Sequence, residues 1–151
     1  MKEIRQTCKE IKIAGLGVRA TNKELEKIGK LWNDFLSGNT AGQIKNIVNP
    51  GKIYVIYTDY ESDHTGEYLC IIGLEVKNLD NQDNNFIKLS IKSGDFLVIT
   101  ETGNAMEVVP KIWQEIWAKN LNRTYLTDFE VYDLNTLNSG NTEVLIYIGV
   151  N

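Results

Sequence analysis

Residues 128–135 read DFEVYDLN. Side chains alternate across a strand, so Phe129 and Val131 share one face while Asp128, Glu130 and Tyr132 share the other. The apolar pair is expected to pack beneath a helix. The other face has two readings. An acid on the open face of a strand usually meets water. In a lined cavity the same acid would lose hydration and lack a partner. The choice decides whether the sheet carries a groove.

Downstream, EVLIYIGV (143–150) reads as a partner strand, joined to the first by NTLNSGN. Upstream, Val109, Ile112, Trp113, Ile116 and Trp117 recur at helical spacing. Asn104 and Glu107 form a possible capping pair, but Pro110 belongs in a first turn, which predicts regular helix from about Val109. FIKLSIKSGDFLVITETG (86–103) reads as strand broken near Ser93-Gly94. The N-terminal half has the same order. EIKIAGLGVRA (10–20) is a strand, Thr21 to Glu24 has the capping-box spacing, and Leu25, Ile28, Trp32 and Phe35 form a helical stripe widened by Leu31 and Leu36. SGNTAGQ reads as loop, and KIYVIYTDY (52–60) and EYLCIIGLEV (67–76) as strands.

The pattern is therefore strand–helix–strand–strand, twice, in pseudo-repeats of about 10–76 and 86–150 on either side of the loop KNLDNQDNN (77–85). It predicts an α+β fold in which antiparallel sheets carry two helices and the halves enclose a groove. At 151 residues the chain fits one domain with a sizeable core.

Hydrophobic residues make up 42% and charged residues 24%, as in ordinary globular proteins. A formal charge of −4 argues against sequence-independent nucleic-acid binding, which needs a basic surface. The opening MKEIRQTCKE is polar, without a signal peptide's apolar core, and no segment reaches the length of a membrane span. The expectation is a reduced, cytoplasmic protein without membrane contact. Cys8 and Cys70 lack metal-ligand spacing, the single histidine His64 sits in a polar turn and reads as solvated, and Asp59, Glu61 and Asp63 lack the spacing of a calcium loop. GLG at 15–17 is not a dinucleotide fingerprint, and neither a phosphate loop nor a nucleophile elbow occurs. No metal or cofactor is expected.

The aromatic residues are more informative. Tyr57 and Tyr68 lie on the last two strands of the first half, Tyr132 and Tyr147 on those of the second, and Trp113 on the second helix. Core packing alone would account for them. Gathered around Glu130, they would instead make a site for a lipophilic cation, through counter-charge, cation–π attraction of about 0.5–2 kcal/mol per ring, and burial of the apolar body.

In order along the chain, GLGVRATNKELEKIGKLWNDF, YVIYTDYESDHTGEYLCIIGLEV, SGDFLVITETG, IWQEIW, DFEVY and IYIGV resemble the GyrI-like small-molecule-binding domain. This is the effector-binding domain of AraC-type and MerR-type regulators, and free-standing integron-cassette-type effector-binding proteins are the nearest likeness. The resemblance runs from about residue 10 to 150. It implies a ligand groove between the halves, with Glu130 as the buried acid facing multidrug-like cations and Trp113 and Tyr147 as pocket walls. Some members carry a second acid on the last strand, where this chain has Leu145, so selection for dications should be weak. Both helices belong to the repeats, leaving none to read DNA. The resemblance thus predicts a free-standing sensor acting with a separate regulator or as a homodimer. It also admits a hydrolase of reactive cyclopropane-type toxins, with Glu130 as general base and Trp113 holding the substrate. Contact with a macromolecular partner is the third possibility.

Overall fold

The computed structural model describes residues 1–151. Its strands are β1 (Lys2–Cys8), β2 (Ile11–Ala20), β3 (Lys52–Thr58), β4 (Tyr68–Glu75), β5 (Ile87–Ile91), β6 (Gly94–Gly103), β7 (Thr127–Asp133) and β8 (Thr142–Gly149). The helices are α1 (Leu25–Ser37), a single turn α2 (Thr40–Gln43) within the expected loop, and α3 (Ala105–Ala118). None is long and apolar enough to cross a membrane.

The strands form one antiparallel sheet in the order β1-β6-β8-β7-β3-β4-β2-β5. Each half contributes a three-stranded unit, β2-β4-β3 or β6-β8-β7, and β3 pairs with β7 at the centre. The outermost strands are exchanged. β1 precedes the first unit but pairs with the edge of the second, and β5 precedes the second but pairs with the edge of the first. Only Lys9 and Glu10 join β1 to β2, although the two stand near opposite ends of the sheet. Such short connectors require the sheet to curl until its ends approach.

Curling gives the two faces different cores. Inside the curl, Ile13, Ile56, Ile71, Ile91, Phe96, Val98, Phe129 and Val131 pack sheet against sheet. The other face carries the helices, with Leu31 and Phe35 of α1 and Ile112 and Ile116 of α3 set on Val55, Ile72, Val144, Ile146 and Ile148. Phe129 and Val131 therefore do not lie beneath a helix, as the sequence suggested. The helices cover the opposite face, which bears Glu130. Two apolar faces were available, and strand parity alone does not say which one the helices take.

Helix boundaries follow local chemistry. Before α1, the Glu24 carboxylate accepts from the Thr21 amide at 3.1 Å, half of the expected capping box, while the Thr21 hydroxyl accepts from Lys23 N–H. Asn104 caps α3 by accepting from Met106 N–H at 3.0 Å. The helix starts there rather than at Val109, so Pro110 lies within it and Met106 C=O loses an intrahelical donor. That loss falls in an exposed first turn and is tolerated. β1 was not expected at all: its side chains are almost all exposed, so KEIRQTC shows no buried alternation.

Gly15 and Gly73 face one another across β2 and β4. A Cβ on Gly15 would stand 2.1 Å from the Ile72 carbonyl oxygen, and one on Gly73 would stand 2.4 Å from that of Ala14. Both obstacles are backbone, so the strands can approach this closely only without side chains. Gly15→Ala is expected to destabilise the protein by about 1–3 kcal/mol, read as a lower urea midpoint; an unchanged midpoint would contradict the packing described.

Candidate functional site

The helices sit over the outer strands of their own halves, α1 on β2 and β4 and α3 on β6 and β8. The central pair, β3 and β7, has no helix of its own. A cavity of about 560 Å³ opens over it. Leu25 and Ile28 of α1 form one wall, Val109, Pro110, Trp113 and Trp117 of α3 the other, and Tyr57 and Glu130 lie on the floor. Both halves contribute, which is the groove expected from the repeat.

Glu130 is 2% exposed. Trp113 Nε1–H donates to its Oε2 at 2.6 Å, Tyr57 Oη donates to the same oxygen at 3.1 Å, and Tyr132 Oη donates to Oε1 at 2.7 Å. All three donors are neutral, and Glu130 forms no ion pair. Burial holds its carboxyl above the ordinary value of 4.5, and the three hydrogen bonds pull the other way without cancelling it. Burial first, and the Glu130 charge second, push the Tyr57 and Tyr132 phenols well above their ordinary range, so both remain donors. The rings brace one another: Tyr57 meets both Tyr68 and Trp113 edge-on at 5.4 Å, and Tyr132 meets Trp32 edge-on at 5.3 Å.

Of the residues singled out from sequence, Glu130, Trp113, Tyr57 and Tyr132 thus come together, with Tyr68 beside Tyr57 on the cavity wall. Tyr132 buttresses Glu130 from behind rather than lining the cavity. Tyr147 is elsewhere. It pairs across the sheet with Phe129 and stacks on it at 4.4 Å, inside the curl. Glu130 pairs with Ile146 instead, so Tyr147 faces away from the carboxylate and is no wall of this cavity. His64 also departs from expectation. It lies in the expected turn but is partly buried rather than freely solvated, stacking on Trp117 at 5.8 Å and lining the cavity. Asn22, Tyr60, Trp117 and Arg123 line it too and were not anticipated. Only Trp117 had a sequence signal, since it follows Trp113 by four residues on the same helical face.

A residue-family model described as "Cass2: Integron-associated effector binding protein" matches residues 5–150. The chain belongs to this family. The putative transcriptional regulator protein YobU of Bacillus subtilis is 26% identical over 146 residues, covering 92% of this chain and 91% of that protein. The integron cassette protein VCH_CASS2, from the mobile metagenome of Vibrio cholerae, superposes with a TM-score of 0.75 at 28% identity, over 99% of this chain and 95% of its own. SAV2435, solved bound to tetraphenylphosphonium, has the same fold at a TM-score of 0.82 and 14% identity, over 100% of this chain and 94% of its own.

Proposed function

We propose that this effector-binding protein takes up amphipathic cations in the cavity between α1 and α3, with Glu130 as their counter-charge. One observation carries the reading: a carboxylate buried on the cavity floor is held only by neutral donors. Its charge has lost hydration and has no cation to offset the loss. A bound cation supplies that partner. The faces of Tyr57, Trp113 and Trp117 add cation–π attraction, and the apolar walls take the ligand's hydrocarbon. Binding of tetraphenylphosphonium by SAV2435 supports the ligand class. The description of YobU as a regulator supports a sensory role, exercised through a separate regulator or a homodimer. Sedimentation with and without ligand tests the homodimer: an unchanged monomer would remove it.

Tryptophan-fluorescence titration with 4-phenylbutyl-trimethylammonium and with its neutral tert-butyl isostere tests the charge preference. The cation is expected to bind at least tenfold tighter. Equal affinities would sink the proposal, because the two ligands match in shape and differ in charge. The same carboxylate is poorly prepared to act as a general base. Three donors already occupy three of its roughly four lone-pair sites, which leaves only one on Oε1 for a reacting water. Mass spectrometry after prolonged incubation is accordingly expected to return the cation unchanged, and a new product mass would reinstate catalysis.

A further inference from the structure

Arg123 is the second charged group of this cavity. Its side chain is 3% exposed, and Nη2 donates to Asp128 Oδ2 at 2.7 Å. Asp128 is fully satisfied: Oδ1 accepts from Gly149 N–H at 2.8 Å, and Oδ2 also accepts from Tyr60 Oη. The guanidinium is not, because Nε and Nη1 are buried without a hydrogen-bond partner. Orphaned buried donors are costly and uncommon in native proteins. These two belong to a residue that lines the cavity.

The guanidinium is also held in place. The Tyr125 ring lies 4.3 Å from its Cζ, from a backbone position with φ of 54°. That left-handed conformation is uncommon for tyrosine and tends to persist where the surroundings impose it. The Trp113 ring lies 6.0 Å from Cζ, and its Nε1 edge reaches Glu130. Asp128 and Glu130 are two residues apart on one face of β7, about 7 Å along the strand. One indole thus stands between an acid lacking a cation and a guanidinium with spare donors.

We infer that Arg123 is a second recognition point of the cavity, which selects cations that also carry an acceptor oxygen, a carbonyl or carboxylate, about 7 Å from the positive centre. This rests on the proposed cation site and narrows its ligand class. The Arg123–Asp128 pair is neutral as a unit, so it does not repel the cationic end. Its spare N–H groups meet the acceptor in a place shielded from water, where a charge-assisted hydrogen bond is strong. A fixed pair of poles also orients the ligand, which rings and hydrocarbon alone would not.

The test uses two aromatic trimethylammonium probes identical except that one carries a ketone about 7 Å from nitrogen and the other a methylene there. Three proteins are titrated: wild type, Glu130→Gln, and the charge-balanced double variant Arg123→Met with Asp128→Asn, which removes both charges of that ion pair together. Wild type is expected to favour the ketone at least tenfold. The double variant is expected to lose that preference and bind the two probes equally. Glu130→Gln is expected to weaken both probes and keep the preference. Equal binding of the probes by wild type, or a preference that survives in the double variant, overturns the role of Arg123. A preference that disappears in the double variant while Glu130→Gln binds both probes normally upholds Arg123 and sinks the cation site. Failure of wild type to bind either probe overturns both.

Discussion

Glu130→Gln is expected to weaken binding of a lipophilic cation by about thirtyfold or more, the lower end of the range of about 2–5 kcal/mol measured when one member of a buried charge pair is removed. The substitution keeps the shape of the cavity floor. Tyr57 and Trp113 can still donate to the amide oxygen, and the amide N–H₂ can donate to Tyr132 if its hydroxyl turns. The same change should affect the empty protein in the opposite direction. Burial raises the Glu130 pKa above 4.5 in the fold. The unfolded chain therefore releases its proton at lower pH than the folded one. Wild type consequently loses stability as pH rises from the unfolded value through the folded value, whereas the glutamine variant does not. Urea denaturation is expected to show a stability advantage for the variant at neutral pH that vanishes in acid. A variant that binds worse and is also less stable at pH 7 would indicate that Glu130 serves the fold rather than a ligand.

The same shift sets the pH dependence of binding. Cation affinity should fall as pH drops through a range lying above 4.5, when the carboxyl takes up its proton. Tyr57, Tyr132 and Cys70 face this carboxylate, and burial drives all three to higher pKa, so none titrates in that window. His64 lines the same cavity. Titrations of His64→Asn separate the two groups: the acid branch should persist there and disappear in Glu130→Gln. An acid branch retained in Glu130→Gln would assign it to another group.

The fold was legible because its signals are local. The stripe from Leu25 to Phe35, the tryptophans of α3 and the β-branched runs of β3 and β4 each report a buried face directly. β1 was not legible, because an edge strand with both faces in water leaves no apolar alternation. At the site, Glu130, Trp113 and Tyr57 come together on adjacent elements. The misplacement of Tyr147 is instructive, since likeness to a family suggested a ring near the acid and one residue of register decides its face. With Phe129 opposite Tyr147, the tyrosine must lie inside the curl. Register depends on how β7 meets β8, which no single segment encodes. Arg123 was invisible for a related reason. It lies in a loop, NLNRTYL, and matters only through Asp128 and the cavity that the two halves create together.

Arg123→Met alone is expected to destabilise the protein by about 3–5 kcal/mol, the largest stability effect anticipated here. The reason is what remains behind. Asp128 is 0% exposed, and without the guanidinium its charge keeps only Gly149 N–H and the Tyr60 hydroxyl as partners. Methionine matches the aliphatic stem of arginine, so lost packing contributes little. Adding Asp128→Asn removes the stranded charge. The asparagine oxygen can still accept from Gly149, so the double variant should recover most of the loss. The coupling between the two substitutions, read from urea midpoints at constant slope, isolates the pair from either residue's other contacts. Simple additivity would mean that the ion pair does not hold this end of β7. A strong recovery would show the buried charges to be stabilising only as a unit. Arginine's presence at this position would then need a reason beyond stability, and the unpartnered donors of this cavity-lining residue supply one.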